Sequence, residues 1–362
     1  MKRRPVLLAA AVALAAPLSA THADGDASLH AEGGAGVDTN PGRTIGGAGP
    51  ADGFAIALLR ARGVAGGGGL RLAATLDEAV RLYRREAQAS AIASRLDTAA
   101  RLPLGAGLVA GADLSARDLT ERGHGLDQDA LHGEGSLAWT GGAWGAALSG
   151  GWTLFAPREA TLRPFLASGP EAALRLSWAP SADDVLSAGY GVAWASFPRW
   201  DAVASGGRDD RTQTASVEWA RTSDDFIVSV GYAYAWNRSS ADGGNFDRHR
   251  VAARGAATLP LDVTVALRIA LQWSSYPRPL FLPQQLLLAE GQESQDALEL
   301  RLTRPLGRAA ELALAIAHYR AEAVSGGGSA LDYRRTLVFA TVTWRGEWRR
   351  DHGAASFTMG TP

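Results

Sequence analysis

Between Asp225 and Asn237 the chain reads DFIVSVGYAYAWN, and alternate residues separate into two unlike sets. Phe226, Val228, Val230, Tyr232, Tyr234 and Trp236 make one; Ile227, Ser229, Gly231, Ala233, Ala235 and Asn237 make the other. Successive side chains of a β-strand point to opposite faces, so this segment is a strand with one large apolar face and one small or polar face. Its length excludes the usual solutions. Strands in soluble sheets run about five or six residues, whereas a tilted strand needs about 9–11 to cross a hydrocarbon layer.

The pattern recurs. In AWGAALSGGWTLF, Trp144, Ala146, Leu148, Trp152 and Leu154 oppose Ala143, Gly145, Ala147, Ser149, Gly151 and Thr153. In DVTVALRIALQWS, Val263, Val265, Leu267, Ile269, Leu271 and Trp273 oppose Asp262, Thr264, Ala266, Arg268, Ala270 and Gln272. Candidate strands lie near 27–37, 52–62, 69–82, 88–101, 105–116, 130–140, 143–155, 171–179, 184–196, 211–222, 225–237, 247–258, 262–274, 294–304, 309–321 and 332–345. The sequence therefore predicts an all-β fold, a transmembrane antiparallel up-and-down β-barrel of about 16 strands.

The connections and tryptophans point the same way. Tight turns (RLPLG, TGGA, APSADD, RTSDD, LPLD) mostly alternate with long segments such as RDLTERGHGLDQD, APREATLRPFLASG, FPRWDAVASGGRDD and NRSSADGGNFD. Short periplasmic turns alternating with long outer loops mark bacterial outer-membrane barrels. The longest connection, near 275–294, carries PRPLFLP and QQLLLAE; an exposed apolar loop of this kind is expected to fold into the mouth or pack on its rim. With both termini periplasmic, Trp139, Trp144, Trp178, Trp219 and Trp344 fall near one rim and Trp152, Trp194, Trp236 and Trp273 near the other. Two aromatic girdles about 20 Å apart would then bound an apolar band.

At the N-terminus, Lys2, Arg3 and Arg4 precede an apolar run and the small residues SATHA, which predicts a signal peptide over 1–23. The barrel is expected over 24–346 and a C-terminal periplasmic tail over 347–362. No later stretch offers the roughly 20 consecutive apolar residues of a membrane helix. The absence of cysteine excludes disulfides and thiolate metal sites, and a net charge of −1 argues against nucleic acid as a partner.

In this architecture the chain resembles outer-membrane porin-like β-barrels over about 27–345. GVDTNP at 36–41 looks like the D-[ST]-N element that follows the first strand in several barrel families, including some linked to surface-polysaccharide export. The same residues also read as a plain turn. The chain departs from such barrels at its end, where RGEWRRDHGAASFTMGTP follows Trp344 in place of a terminal aromatic. The resemblance implies a channel in the bacterial outer membrane for passive passage of hydrophilic solutes. It would contact lipid and lipopolysaccharide, with an envelope protein or a second copy as further partner. The alternative it leaves is a non-enzymatic structural or partner-dependent barrel of a multi-protein envelope system, such as surface-polysaccharide export.

Parity assigns Arg71, Arg81, Arg95, Arg101, Arg117, Arg175, Arg250, Arg254, Arg268 and Arg301 to the interior. It places Glu32, Asp38, Asp77, Asp97, Asp113, Glu134, Glu171, Glu218 and Glu299 there too. Charges at such positions are intolerable against lipid, so they imply a wet lumen. Arg250, Arg254, Arg268 and Arg301 come from consecutive strands and are expected to form one positive patch, with Glu299 as the only near acid and Asp113, Glu134 and Glu218 elsewhere on the wall. The competing expectation is that these charges pair into ladders along the wall. His30 with Glu32, and His132 with Glu134, are both H-x-E on one face, a spacing that suits a metal or an acid–base pair. Their two strands are not neighbours, and a wide pore lacks the closed, dry site catalysis prefers. No enzyme activity, metal or cofactor is expected.

Overall fold

A sheet whose every strand has an apolar and a polar face, in surroundings that cannot hydrogen-bond its edges, has one stable arrangement: closure on itself. The computed structural model, which describes residues 24–42, 49–123, 127–200, 207–241, 244–275, 296–323, 331–351 and 354–358, is such a closed sheet. Its strands are β1 (Asp24–Asp38), β2 (Asp52–Gly67), β3 (Leu70–Tyr83), β4 (Ala91–Gly105), β5 (Leu108–Glu121) and β6 (Gln128–Gly141). Then follow β7 (Trp144–Pro157), β8 (Ala167–Trp178), β9 (Asp184–Phe197), β10 (Arg208–Thr222), β11 (Phe226–Ser239) and β12 (Phe246–Leu259). The last are β13 (Val263–Ser275), β14 (Asp296–Pro305), β15 (Ala310–Ala323), β16 (Leu331–Asp351) and the short β17 (Ala354–Thr358).

From β1 to β16 each strand pairs antiparallel with the next, and β1 pairs with β16 to close the barrel. Following the register once around returns to β1 about 20 residues further along, a shear that tilts the strands by about 40° and sets a wall roughly 30 Å across. That width leaves a lumen. The large residues of each alternation point outward: Leu148 and Trp144 are each 59% exposed, and Leu174, Val217, Leu271, Leu298, Leu314 and Val342 are exposed with them.

β16 runs to Asp351, past the expected barrel end at 346, and Glu347–Asp351 pairs with β17. The segment expected to be a tail thus begins inside a strand; RGEWRRD is polar on both faces and carries no period-2 signal. The expected signal peptide and the apolar 275–294 loop lie outside the described residues, apart from Ser275 at the end of β13.

The seam between first and last strands is tied at its loop end by GVDTNP. Asp38 and Asn40 are fully buried. Arg335 of β16 holds Asp38 with Nε at 2.9 Å and Nη2 at 2.8 Å, and Tyr83 donates its hydroxyl to the same carboxylate. Thr39 N–H donates to the Thr336 carbonyl, Thr336 N–H donates to Thr39 Oγ1, and Asn40 Nδ2 donates to the Arg334 carbonyl. These residues are more than a turn: they fasten β1 to β16.

Candidate functional site: the lumen wall

Side chains of parity opposite to the exposed leucines and tryptophans line the interior. A belt of ion pairs occupies this wall. Arg60 and Asp77 are register partners joined at 2.6 Å, Arg95 meets Asp97 at 2.6 Å, and Arg101 meets Asp113 at 2.8 Å. On the far side, Glu218 of β10 accepts from Arg175 of β8 at 3.1 Å and from Arg254 of β12 at 3.2 Å. Arg268 meets Glu299 at 3.3 Å, and Arg301 of β14 reaches Glu32 of β1 at 3.1 Å.

The small face of β11 has its explanation here. Arg254 lies back across that strand, its Nε donating to Ser229 Oγ at 2.9 Å on the way to Glu218. Gly231 is the register partner of Glu218, and Gly189 of β9 is that of Arg175. Large residues at these positions would fill the space through which the guanidiniums reach. Arg301 likewise spans two strands, touching Thr341 Oγ1 at 3.4 Å before Glu32.

These contacts correct the expected positive patch. Of Arg250, Arg254, Arg268 and Arg301, three are met by a carboxylate: Glu218, Glu299 and Glu32 respectively. The expectation counted acids on adjacent strands alone, and a long arginine over small neighbours reaches further. Arg250 lies four residues from Arg254 on β12, and its Nε is buried in the wall with no hydrogen-bond partner among the described residues. Arg71 faces Arg101 in register, and the Arg81 guanidinium lies 5.7 Å from the Tyr83 ring centre. Glu134 joins none of the arginine pairs; it gathers instead with His132 and Glu171.

Two apolar shelves stand on the same inner face near the long-loop end, neither expected from sequence. Phe54, Tyr83, Ala89, Ala317 and Leu337 form one, with Ile56, Tyr319 and Phe339 against it. It depends on Gly36, register partner of both Phe54 and Phe339, whose rings meet across it at 6.1 Å. A Cβ on Gly36 would collide with the Val338 carbonyl and lie 2.5 Å from Phe339 Cβ. The other, half the circumference away in strand order, is Leu162, Phe165, Phe197 and Trp200, with Arg208 over the last two rings at 4.2 and 4.7 Å. A cavity of about 620 Å³ has Phe54, Tyr319 and Phe339 on one side and Arg254, Arg268 and Arg301 on the other. Another of about 560 Å³ lies over Arg175, Glu218 and Arg250.

The nine girdle tryptophans all take the outward parity. Trp144 and Trp178 are register partners with stacked rings 5.9 Å apart, and Trp219 donates to Asp184 at 3.1 Å. Towards the other rim, Trp273 stacks on His249 at 5.5 Å and Trp236 on Tyr234 at 5.3 Å, while Trp152 and Trp194 are exposed.

No protein-family model matches the chain, and no curated protein is similar to it in sequence. Several solved structures are similar in shape. The TodX monoaromatic hydrocarbon channel, as a deltaS2 mutant, is 12% identical over 91% of each chain, with a TM-score of 0.42. A bacterial polysaccharide outer membrane secretin is 11% identical over 88% of this chain and 97% of that one, with a TM-score of 0.41. A mutant Rh. blastica porin is 13% identical over 88% and 99%, with a TM-score of 0.38. Likenesses this distant say nothing of what the chain carries or binds.

Proposed function

We propose that the protein is a channel of the bacterial outer membrane for passive passage of small hydrophilic solutes. One observation carries this reading. Inside a closed barrel, guanidiniums on the inner wall remain open to solvent: the Arg254 side chain is 75% exposed and that of Arg175 is 60%. Charges so placed need water around them, and a 16-stranded wall is wide enough to hold it. The pairing of arginines with carboxylates makes the wall polar with little net field, which suits passage by size and hydration more than by charge.

The test is single-channel recording of the detergent-purified protein in a planar bilayer. Stable, nearly ohmic openings are the expected result. A folded, heat-modifiable barrel that never conducts would overturn the channel and leave the structural, partner-dependent barrel. Cell fractionation checks the location: recovery with outer membranes is expected, and recovery in the soluble periplasmic fraction would overturn it.

A further inference from the structure

Every carboxylate of the belt described above has an arginine within 3.3 Å, but two further carboxylates in the wall formed by β6, β7 and β8 do not. There His132, Glu134 and Glu171 each direct a ligating atom to one place, all within 4.8 Å of one another. Among the described residues Glu134 makes no hydrogen bond or ion pair, and Glu171 meets no arginine. Two guanidiniums of the surrounding wall are engaged elsewhere: Arg101 holds Asp113, the register partner of Glu134, and Arg175 turns to Glu218.

The backbone brings the three together. Glu134 and Glu171 are both register partners of Gly151, on opposite sides of β7. A Cβ on Gly151 would lie 2.5 Å from the Gly133 carbonyl oxygen and 3.3 Å from Glu134 Cα, so the bare backbone lets the carboxylates converge. His132 Nδ1 lies 3.3 Å from Glu171 Oε1. Metal bonds of about 2.0–2.1 Å place tetrahedral ligands about 3.3 Å apart, so this edge already has the required length. Thr153 Oγ1 donates to Glu171 Oε2 at 3.3 Å, which orients that carboxylate from behind.

We propose that His132, Glu134 and Glu171 form a binding site for a borderline divalent metal ion, of which Zn²⁺ is the type, on the lumen wall. One imidazole and two carboxylates suit such an ion, and the two negative charges left without arginines favour a cation there. The remaining coordination positions open to the lumen, so a bound ion would meet any carboxylate or phosphate that passes. The H-x-E pair of β6 supplies two ligands, and the third comes from 37 positions further along the chain, on a strand that is not its neighbour.

The experiment uses the full mature chain, purified in detergent, stripped with a chelator and titrated with Co²⁺ as a spectroscopic probe. Expected is one saturable equivalent with visible ligand-field bands, displaced by Zn²⁺. His132→Ala and Glu171→Gln are each expected to weaken binding about a hundredfold or more, while His30→Ala, in the other H-x-E pair, leaves it unchanged. Heat-modifiable migration reports folding of each variant, and Glu134→Gln supplies the same readout should either of the first two fail to assemble. No saturable binding by the wild type, or wild-type affinity in the folded variants, would overturn the site.

Discussion

At the scale of single residues, parity decides tolerance. Val217 of β10 faces outward and is 56% exposed, whereas Ser229 on the neighbouring β11 is buried under Arg254 on the inner wall. Val217→Arg should impair assembly, since Val217 lies inward of the Trp219 girdle opposite Tyr232, and an arginine near the midplane of a barrel's lipid face costs about 2–4 kcal/mol. Ser229→Arg should assemble, displacing Arg254 from its seat and altering the pore. Heat-modifiable migration of both variants is the check, and equal behaviour would contradict the assignment of faces. The side each residue takes was legible from sequence because a period of 2 leaves no ambiguity once one face is apolar. Its inner-wall partner was not: Arg301 and Glu32 are 269 positions apart, and only the register of the closed barrel brings them together.

At the scale of elements, the β1–β16 seam concentrates buried polar contacts. The Asp38 side chain is 0% exposed and that of Arg335 6%. Asp38→Ala would take the carboxylate away from a buried guanidinium, and removing one member of such a pair typically costs about 3–5 kcal/mol. The expected outcome is a lowered urea midpoint for the assembled barrel. The double variant Asp38→Ala with Arg335→Met should recover much of the loss, because it removes the opposite charge as well. GVDTNP was visible in the sequence as turn formers, but its fastening role depends on Thr336 and Arg335 nearly 300 residues away. Strand existence was legible along the whole wall. The end of β16 was not, since its last residues have no apolar face.

At the scale of the whole molecule, the wall is nearly balanced, and the balance rests on a few shared acids. Glu218 serves two arginines, Arg175 and Arg254, so Glu218→Gln leaves both uncompensated. In a salt gradient across a planar bilayer the reversal potential should move toward anion selectivity, and the effect should shrink as salt rises, because the Debye length falls from about 8 Å at physiological ionic strength to about 3 Å at 1 M. An unchanged potential would place this trio away from the narrow part of the pore. The two apolar shelves were illegible from sequence. Phe54 and Phe339 sit on the inner face with no periodic signal to separate them from lipid-facing aromatics, Trp200 lies past the end of β9, and Gly36 between the first two carries no side chain to mark the spot.

The seam also orders assembly in time. The ion pair that fastens it joins residues 297 positions apart, so it cannot form until the last strand has arrived. All other strand pairs of the wall join consecutive strands and can form as hairpins extend; closure alone requires the two ends of the chain to meet, and contacts so distant are slow to form. Until then β1 is an open edge, with unpaired backbone groups that another chain's strand could take. Asp38 and Arg335 act as a latch that engages only on the finished cylinder.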